Sequence, residues 1–171
     1  MSDVSRPEEV AWKIRTGAII APPEISNPIA AMNLPNPESF TAYPEGSPAH
    51  PSFPAMHSAS SVSSLWLAVV MDLDVENGDD MWCQAMLTDY AVATARTVAG
   101  VHYPSDNIAG LKMGQRILAD KLPRHLSKTY GSDVDAVRRK INMVVAQHDW
   151  DDFESSECYL SGLDPSVRPD E

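Results

Sequence analysis

A proline-rich stretch in the first third of the chain contains two histidines at a short spacing. Within residues 47–59 (SPAHPSFPAMHSA), His50 precedes His57 by seven residues, and the prolines between them restrict the backbone. A helical pattern begins at His57, so its side chain is expected beside the free N–H groups of a helix start. This is the first of two places where a histidine coincides with a helix start.

A second stretch, residues 95–110 (ARTVAGVHYPSDNIAG), combines a cation, an imidazole and a carboxylate around an expected turn. Arg96 falls in the last turn of one helix, and Pro104 suits the first position of the next. His102 therefore lies in a tight corner, and Asp106 follows it by about one helical turn. A carboxylate that orients an imidazole prepares it for nucleophilic attack or for metal ligation.

The two stretches together indicate a site for an oxyanion. Helix N-termini favour anions, and an arginine offers a fixed positive charge with forked donors. A simpler interpretation stays open, in which His57 and His102 are helix caps or hydrogen-bonded core residues.

The elements that must position these residues follow from the proline distribution and from hydrophobic spacing. Ten of the fourteen prolines lie between Pro7 and Pro54. Proline removes a backbone donor and disfavours helix at the preceding residue. Residues 21–56 are therefore expected to be mostly extended loop, after a short helix at about 8–20.

After this loop the apolar residues recur at helical spacing. The pattern predicts helices over 57–73 and 79–99, a third helix that Pro123 ends, and a fourth over 134–145 with Ser132 as its N-cap. No segment has the alternation typical of a strand, so the fold class is all-α, a helical bundle.

The chain should form one domain with three parts. These are an N-terminal segment and proline-rich loop packed on the bundle (1–56), a catalytic helical bundle (57–148) and a peripheral acidic tail (149–171).

Composition limits the partners and the compartment. The formal net charge is −11, which disfavours binding to nucleic acid or to an anionic membrane. No signal peptide or transmembrane segment is visible, so a cytoplasmic protein is expected. With only two cysteines, Cys83 and Cys158, a disulfide scaffold and a thiolate zinc site are not expected.

The second stretch resembles a signature of the vanadium-dependent haloperoxidases and the related type 2 phosphatidic acid phosphatases. That signature reads Ser-Arg, five residues, His, three residues, Asp. Here it is present as Ala95 and Arg96, five residues, His102, three residues and Asp106. Only the leading serine differs.

Two further signatures of that superfamily match in part. Pro-Ser-Gly-His is present as residues 54–57 (PAMH), and His50 matches an extra histidine of the algal and cyanobacterial bromoperoxidases. The first signature survives as Arg6 and Pro7, with its lysine expected before residue 1. The resemblance covers about residues 6–115 and suggests the C-terminal catalytic portion of the longer algal type.

The resemblance implies a helical bundle of the vanadium haloperoxidase and acid phosphatase type, with vanadate as cofactor. His102 would bond the vanadium. Arg6 and Arg96 would neutralise the oxyanion, and the backbone amide of Met56 would contact it.

Three residues receive catalytic roles through the same resemblance. His57 would be the acid–base group, His50 would tune halide oxidation, and Asp106 would orient His102. The implied reaction oxidises a halide, bromide above all, with hydrogen peroxide and delivers the halogen to an organic acceptor.

Departures from the signatures keep three functions open. Ala55 lacks the serine hydroxyl, and Met56 adds bulk where the family has glycine. The chain is therefore a vanadate-dependent bromoperoxidase, a phosphomonoesterase that forms a phosphohistidine on His102, or a non-catalytic structural or interaction subunit. Its shortness beside the algal relatives predicts exposed apolar surface and a homo-oligomer.

Overall fold

Every regular element in the described part of the chain is a helix. The structure is a computed structural model, and it describes residues 5–42, 47, 50–147 and 149–163. Parts of the expected proline-rich loop and of the acidic tail lie outside these residues. The α-helices in chain order are α1 (Pro7–Arg15), α2 (Pro23–Ala31), α3 (Met56–Ser60), α4 (Ser64–Val70), α5 (Asp80–Val98), α6 (Pro104–Tyr130), α7 (Val134–Ala146) and α8 (Glu157–Leu163). The prediction of an all-α fold is confirmed.

The N-terminal region contains more helix than its prolines indicated. Residues 21–56 were expected to be mostly extended, but they include α2 and a 3₁₀ turn at Pro37–Phe40. Pro22 and Pro23 stand at the start of α2, where the missing N–H removes no helical hydrogen bond. Pro28 lies inside that helix, and no residue of α2 is buried.

The helix expected over 57–73 is divided into α3 and α4. A buried carboxylate from α5 explains the break: Oδ1 of Asp89 accepts hydrogen bonds from the N–H and the hydroxyl of Ser63, at 2.9 and 2.8 Å. Its Oδ2 accepts the N–H of Ser64 at 2.9 Å. Asp89 thus satisfies the free donors at the start of α4, and the chain gains a second helix start instead of one long helix.

The long helix α6 is the centre of the bundle and packs against α3, α5 and α7. It was expected to end at Pro123 but continues to Tyr130, where Gly131 adopts a left-handed conformation (φ +74°). Leu122 and Pro123 are both buried in the core, so their packing offsets the backbone hydrogen bond that the proline removes.

Two glycines let α6 approach α3 closely. A methyl group at Gly110 would lie 2.3 Å from the carbonyl oxygen of Ala55, and one at Gly114 would lie 2.1 Å from that of Ala59. These positions hold the segment that contains the second signature directly against the helix that follows His102.

Helix α7 covers another side of the core. Val137, Ile141 and Val144 are buried, as their spacing predicted. The N-cap is Asp133 and not Ser132, because the Asp133 carboxylate accepts the N–H of Ala136.

The C-terminal segment is not wholly peripheral. Trp150 and Phe153, in a 3₁₀ turn at Trp150–Ser155, are 2% and 1% exposed and belong to the main hydrophobic core. They are followed by α8, which packs on α5. The acidic composition of this segment predicts a solvent-exposed tail and does not indicate that its two aromatic side chains are buried.

A disulfide joins Cys83 in α5 to Cys158 in α8, a single bridge that the sequence analysis does not predict. Disulfides are rare in reducing compartments. The disulfide is therefore unusual for the cytoplasmic location expected from the sequence, and that location stays a prediction. Among the described residues, none of the helices combines the length and the apolar composition that a membrane span requires.

Candidate active site

The corner between α5 and α6 places His102 in the interior. Gly100 ends α5 with a left-handed backbone (φ +75°), and the N–H groups of Val101 and His102 both donate to the carbonyl oxygen of Arg96. A side chain at Gly100 would clash, since a Cβ there would lie 2.7 Å from the Phe40 carbonyl oxygen. His102 is only 3% exposed and directly precedes the first turn of α6.

Asp106 and Ser52 lie on the Nδ1 side of the His102 ring. The Asp106 Oδ2 atom is 3.6 Å from His102 Nδ1, and the Ser52 hydroxyl is 3.4 Å from the same nitrogen. Ser52 also donates a short hydrogen bond to Asp106 Oδ2. Asp106 accepts the N–H of Tyr103 as well, at 3.0 Å, and so caps α6. A proton on Nδ1 of the neutral ring leaves the lone pair on Nε2.

Arg6 reaches the same corner from the N-terminus of α1 and is 2% exposed. Its Nη1 donates to the Val101 carbonyl oxygen at 2.8 Å, and its Nε donates to the His50 carbonyl oxygen at 3.2 Å. Burial lowers the pKa of Arg6, while the negative charge of Glu8 raises it. Glu8 is itself buried, so a counter-charge accompanies the arginine into the interior.

His50 is exposed and contacts the guanidinium through its side chain also. Its Nδ1 lies 3.3 Å from Arg6 Nη2 and 3.0 Å from the Pro51 carbonyl oxygen. The first contact needs Nδ1 to accept and the second needs it to donate, so the ring makes only one of them at a time.

His57 and Arg96 belong to the same electrostatic environment. His57 lies in the first turn of α3 and is exposed, and its pKa is lowered by partial desolvation first, and then by the positive charges of Arg96 and Arg6. The pKa of His102 is lowered by burial and by both arginines, against the opposing effect of Asp106. The two histidines of the signatures therefore share the field of the same two cations.

The second signature is attached to α6 at its beginning. The Ala55 N–H donates to the Asp106 carbonyl oxygen at 3.0 Å, and Ala55 is fully buried. Met56 begins α3 and is 53% exposed. The position of the family serine is thus occupied by a buried methyl group, and that of the family glycine by an exposed thioether.

The structure places Arg6 against His50 and Val101, and His102 against Asp106, while electrostatic effects relate His57 and Arg96 to these residues. It adds two residues that sequence reasoning missed. Ser52 contacts both His102 and Asp106, and the signal for it was its place between His50 and His57 in the proline-rich stretch. Glu8 accompanies Arg6, and within the described residues its Oε2 is a buried atom without a hydrogen-bond partner. The roles assigned to the predicted site residues stay predictions.

The arrangement has a defined chemical capacity. A neutral imidazole with a basic Nε2 can bond to vanadium or attack phosphorus, and two cations can neutralise a bound oxyanion.

Residues 30–119, just over half of the chain, match the family model of the PAP2 superfamily. The chain belongs to the PAP2 superfamily. No curated protein and no solved structure gives a significant match.

Membership of the PAP2 superfamily fits both phosphatase and haloperoxidase chemistry and does not choose between them. The matched residues contain the second and third signatures, whereas Arg6 lies outside them. The contacts of Arg6 with Val101 and His50 are therefore independent structural evidence that the N-terminal arginine belongs to the site.

Proposed function

We propose that the chain binds a tetrahedral oxyanion at His102 and acts as a vanadate-dependent haloperoxidase that oxidises bromide with hydrogen peroxide. The observation that carries this proposal is the buried His102, with Asp106 and Ser52 on its Nδ1 side and Arg6 bonded to the adjacent Val101 carbonyl. Arg6 is buried with Glu8 and Asp106 as its counter-charges, and Arg96 adds a second positive charge to the field at His57 and His102. An oxyanion at His102 would gain a favourable interaction with both cations.

The described residues fit vanadate in charge and in donor chemistry. His102 would supply the ligand nitrogen, Arg6 and Arg96 the neutralising charges, and the Met56 N–H a neutral donor. Ala55 supplies no hydroxyl, so the donor set is smaller than the family signature provides. Bound vanadate would activate hydrogen peroxide for the two-electron oxidation of a halide.

Side chains of the protein would stabilise the charge of the anion and accept or hold protons. Hydrogen bonds to the Val101 and His50 carbonyl oxygens hold Arg6 before the anion binds, so it would stabilise the charge of the anion without reorganisation, and Arg96 would add a second positive charge. His57 has a pKa below the ordinary value, so it is mostly neutral at pH 7 and can accept a proton there. Asp106 stabilises the proton on His102 Nδ1 and keeps Nε2 available.

His50 favours the haloperoxidase over a phosphatase, because it matches the extra histidine of the bromoperoxidases that the sequence resembles. This exposed histidine contacts Arg6 through both its backbone and its ring, so it joins the site and is not an isolated surface residue. Hydrolysis of phosphomonoesters is the second candidate, because the oriented His102 also has the geometry of a nucleophile that forms a phosphohistidine.

One comparison of activities separates the candidates. The protein, loaded with vanadate, is assayed for bromination of a phenolic dye with bromide and peroxide, and the vanadate-free protein for hydrolysis of p-nitrophenyl phosphate. We expect dye bromination that His102→Ala abolishes and that His125→Ala, a change at an exposed histidine of α6, leaves intact. Phosphate release without bromination would support the phosphatase, and neither activity would support a non-catalytic subunit.

A further inference from the structure

The hydroxyl of Ser52 lies between the carboxylate and the imidazole of the site. The direct separation of His102 Nδ1 and Asp106 Oδ2 is 3.6 Å, longer than a hydrogen bond. The Ser52 hydroxyl donates a hydrogen bond to that Oδ2 and lies 3.4 Å from that Nδ1. Each of the two contacts through the serine is therefore shorter than the direct separation of the imidazole and the carboxylate.

The chemistry of the three groups determines which of them donates and which accepts in each hydrogen bond. An ionised carboxylate only accepts hydrogen bonds, so the single proton of Ser52 goes to Asp106. The lone pairs of the serine oxygen then face a nitrogen that must donate. This arrangement stabilises the tautomer of His102 with its proton on Nδ1.

The surroundings hold Ser52 in place. Its side chain is fully buried, and Pro51 and Pro54 restrict the backbone on both sides. The bond from the Ala55 N–H to the Asp106 carbonyl oxygen ties the same loop to α6. The hydroxyl is thus kept next to Asp106 by the fold and does not depend on a bound ligand.

We propose that Ser52 is a positioning residue that fixes the tautomer of His102. It accepts the Nδ1–H of the ring and donates its own proton to Asp106. It keeps the lone pair on Nε2, the nitrogen that bonds to the oxyanion. The tautomer follows from the contacts of the free protein, whereas its use in oxyanion binding rests on the proposed function.

The direct test reads the tautomer in the protein without any anion. Protein with ¹⁵N-labelled histidine is studied by NMR at neutral pH, where the lowered pKa keeps His102 neutral. Assignment of the His102 ring comes from the loss of its signals in His102→Gln. We expect the natural protein to carry the proton on Nδ1, and Ser52→Ala to shift the population toward the Nε2–H form.

A matched control is available nearby, at the contact between α3 and α6. Ser58 is also fully buried, and its hydroxyl donates to Asn107, the neighbour of Asp106, at 3.2 Å. Ser58→Ala removes an equally buried hydroxyl and should leave the His102 tautomer unchanged. Ser52→Thr restores the hydroxyl and should restore the Nδ1–H form, and melting curves report whether each variant folds.

Vanadate binding supplies a second readout. Ser52→Ala should weaken vanadate binding roughly tenfold through the loss of one hydrogen bond to the charged relay, while Ser58→Ala should not. An unchanged tautomer in folded Ser52→Ala, or an equal change in Ser58→Ala, would overturn the proposal. Failure of the natural protein to bind vanadate would count against the proposed function, and the tautomer measurement would still decide the role of Ser52.

Discussion

At the scale of single residues, the burial of His102 determines how the protein responds to acid. Burial disfavours the charged imidazolium, and the charges of Arg6 and Arg96 add to this effect, so the pKa of His102 lies below its ordinary value although Asp106 opposes the shift. The unfolded chain keeps the ordinary pKa of about 6.5. The unfolded state therefore takes up a proton at a higher pH than the folded state.

We predict that stability falls as the pH drops below about 6.5 and that the loss stops once the pH is below the folded pKa. His102→Gln should show a smaller loss between about pH 7.5 and pH 5.5 than the natural protein, with the remainder coming in part from His57. Urea unfolding at the two pH values measures this, with His125→Gln as the control. The same pH dependence in His102→Gln and in the natural protein would contradict the prediction.

The altered second signature leads to a prediction about affinity. Ala55→Ser with Met56→Gly restores a hydroxyl and a close backbone approach, and the exposed Met56 gives up little packing. We expect vanadate to bind this double variant roughly tenfold to hundredfold more tightly, the value of one charge-assisted hydrogen bond. Calorimetric titration measures the gain, and adding His102→Ala should remove it. No gain in a folded double variant would mean that the weakness lies elsewhere in the site.

At the scale of elements, the packing of α3 against α6 holds the second signature next to the helix that follows His102. Gly110→Ala and Gly114→Ala would each drive a methyl group into a backbone carbonyl, at Ala55 and Ala59. Each should destabilise the fold by about 1–3 kcal/mol, the usual cost of overpacking. Chemical unfolding measures the change.

A third glycine provides the comparison for this prediction. At Gly162 in α8, the added methyl group would meet only the Leu87 side chain, which can rotate away. Gly162→Ala should therefore cost clearly less than either change in α6. Equal costs at all three positions would show that the close approach of α3 and α6 is not what those glycines serve.

The elements also show which features a sequence can reveal. The spacing of Val137, Ile141 and Val144 correctly gave a buried helix face, since that pattern depends only on local geometry. The break between α3 and α4 could not be predicted, because its cause, Asp89, lies about 25 residues along the chain. The continuation of α6 through Pro123 likewise depends on core packing, which local rules do not contain.

Some residues of the candidate site could likewise be predicted from the sequence, and others could not. The sequence predicts His102, Asp106 and Arg96 as site residues, because their spacing around one turn lies within a single segment. It missed Ser52, whose importance comes from a contact across 50 residues of chain. The pairing of Cys83 with Cys158 is not predicted either, since only the packing of α8 on α5 brings the two cysteines together.

At the scale of the whole molecule, the disulfide closes a loop between positions 75 residues apart. A covalent link of this span restricts the unfolded chain, and its removal typically costs about 2–4 kcal/mol. We predict that Cys83→Ser with Cys158→Ser lowers the free energy of unfolding by this amount, and that a reducing agent does the same to the natural protein only. Urea unfolding with and without the reducing agent tests both. A double variant as stable as the oxidised natural protein would contradict the prediction.

Self-association is the second prediction at this scale. Trp66 and Ile117 line one groove, and they are 41% and 51% exposed. Exposed apolar surface of this kind is typical of interfaces, and closed homo-oligomers are the common result. Sedimentation should show a homo-oligomer that Trp66→Glu weakens, whereas Val98→Glu, at an exposed apolar residue of α5, should not. A natural protein that stays monomeric at high concentration would refute this.

The central claim is that His102 binds a tetrahedral oxyanion with the help of Arg6 and Arg96. Isothermal titration of the vanadate-free protein with vanadate tests it most directly, with His102→Ala and His125→Ala as the matched pair of histidine variants. The account predicts that the natural protein and His125→Ala bind vanadate with equal affinity and that His102→Ala does not bind it. Binding to His102→Ala as tight as to the natural protein would contradict the account, as would a folded natural protein that binds no vanadate.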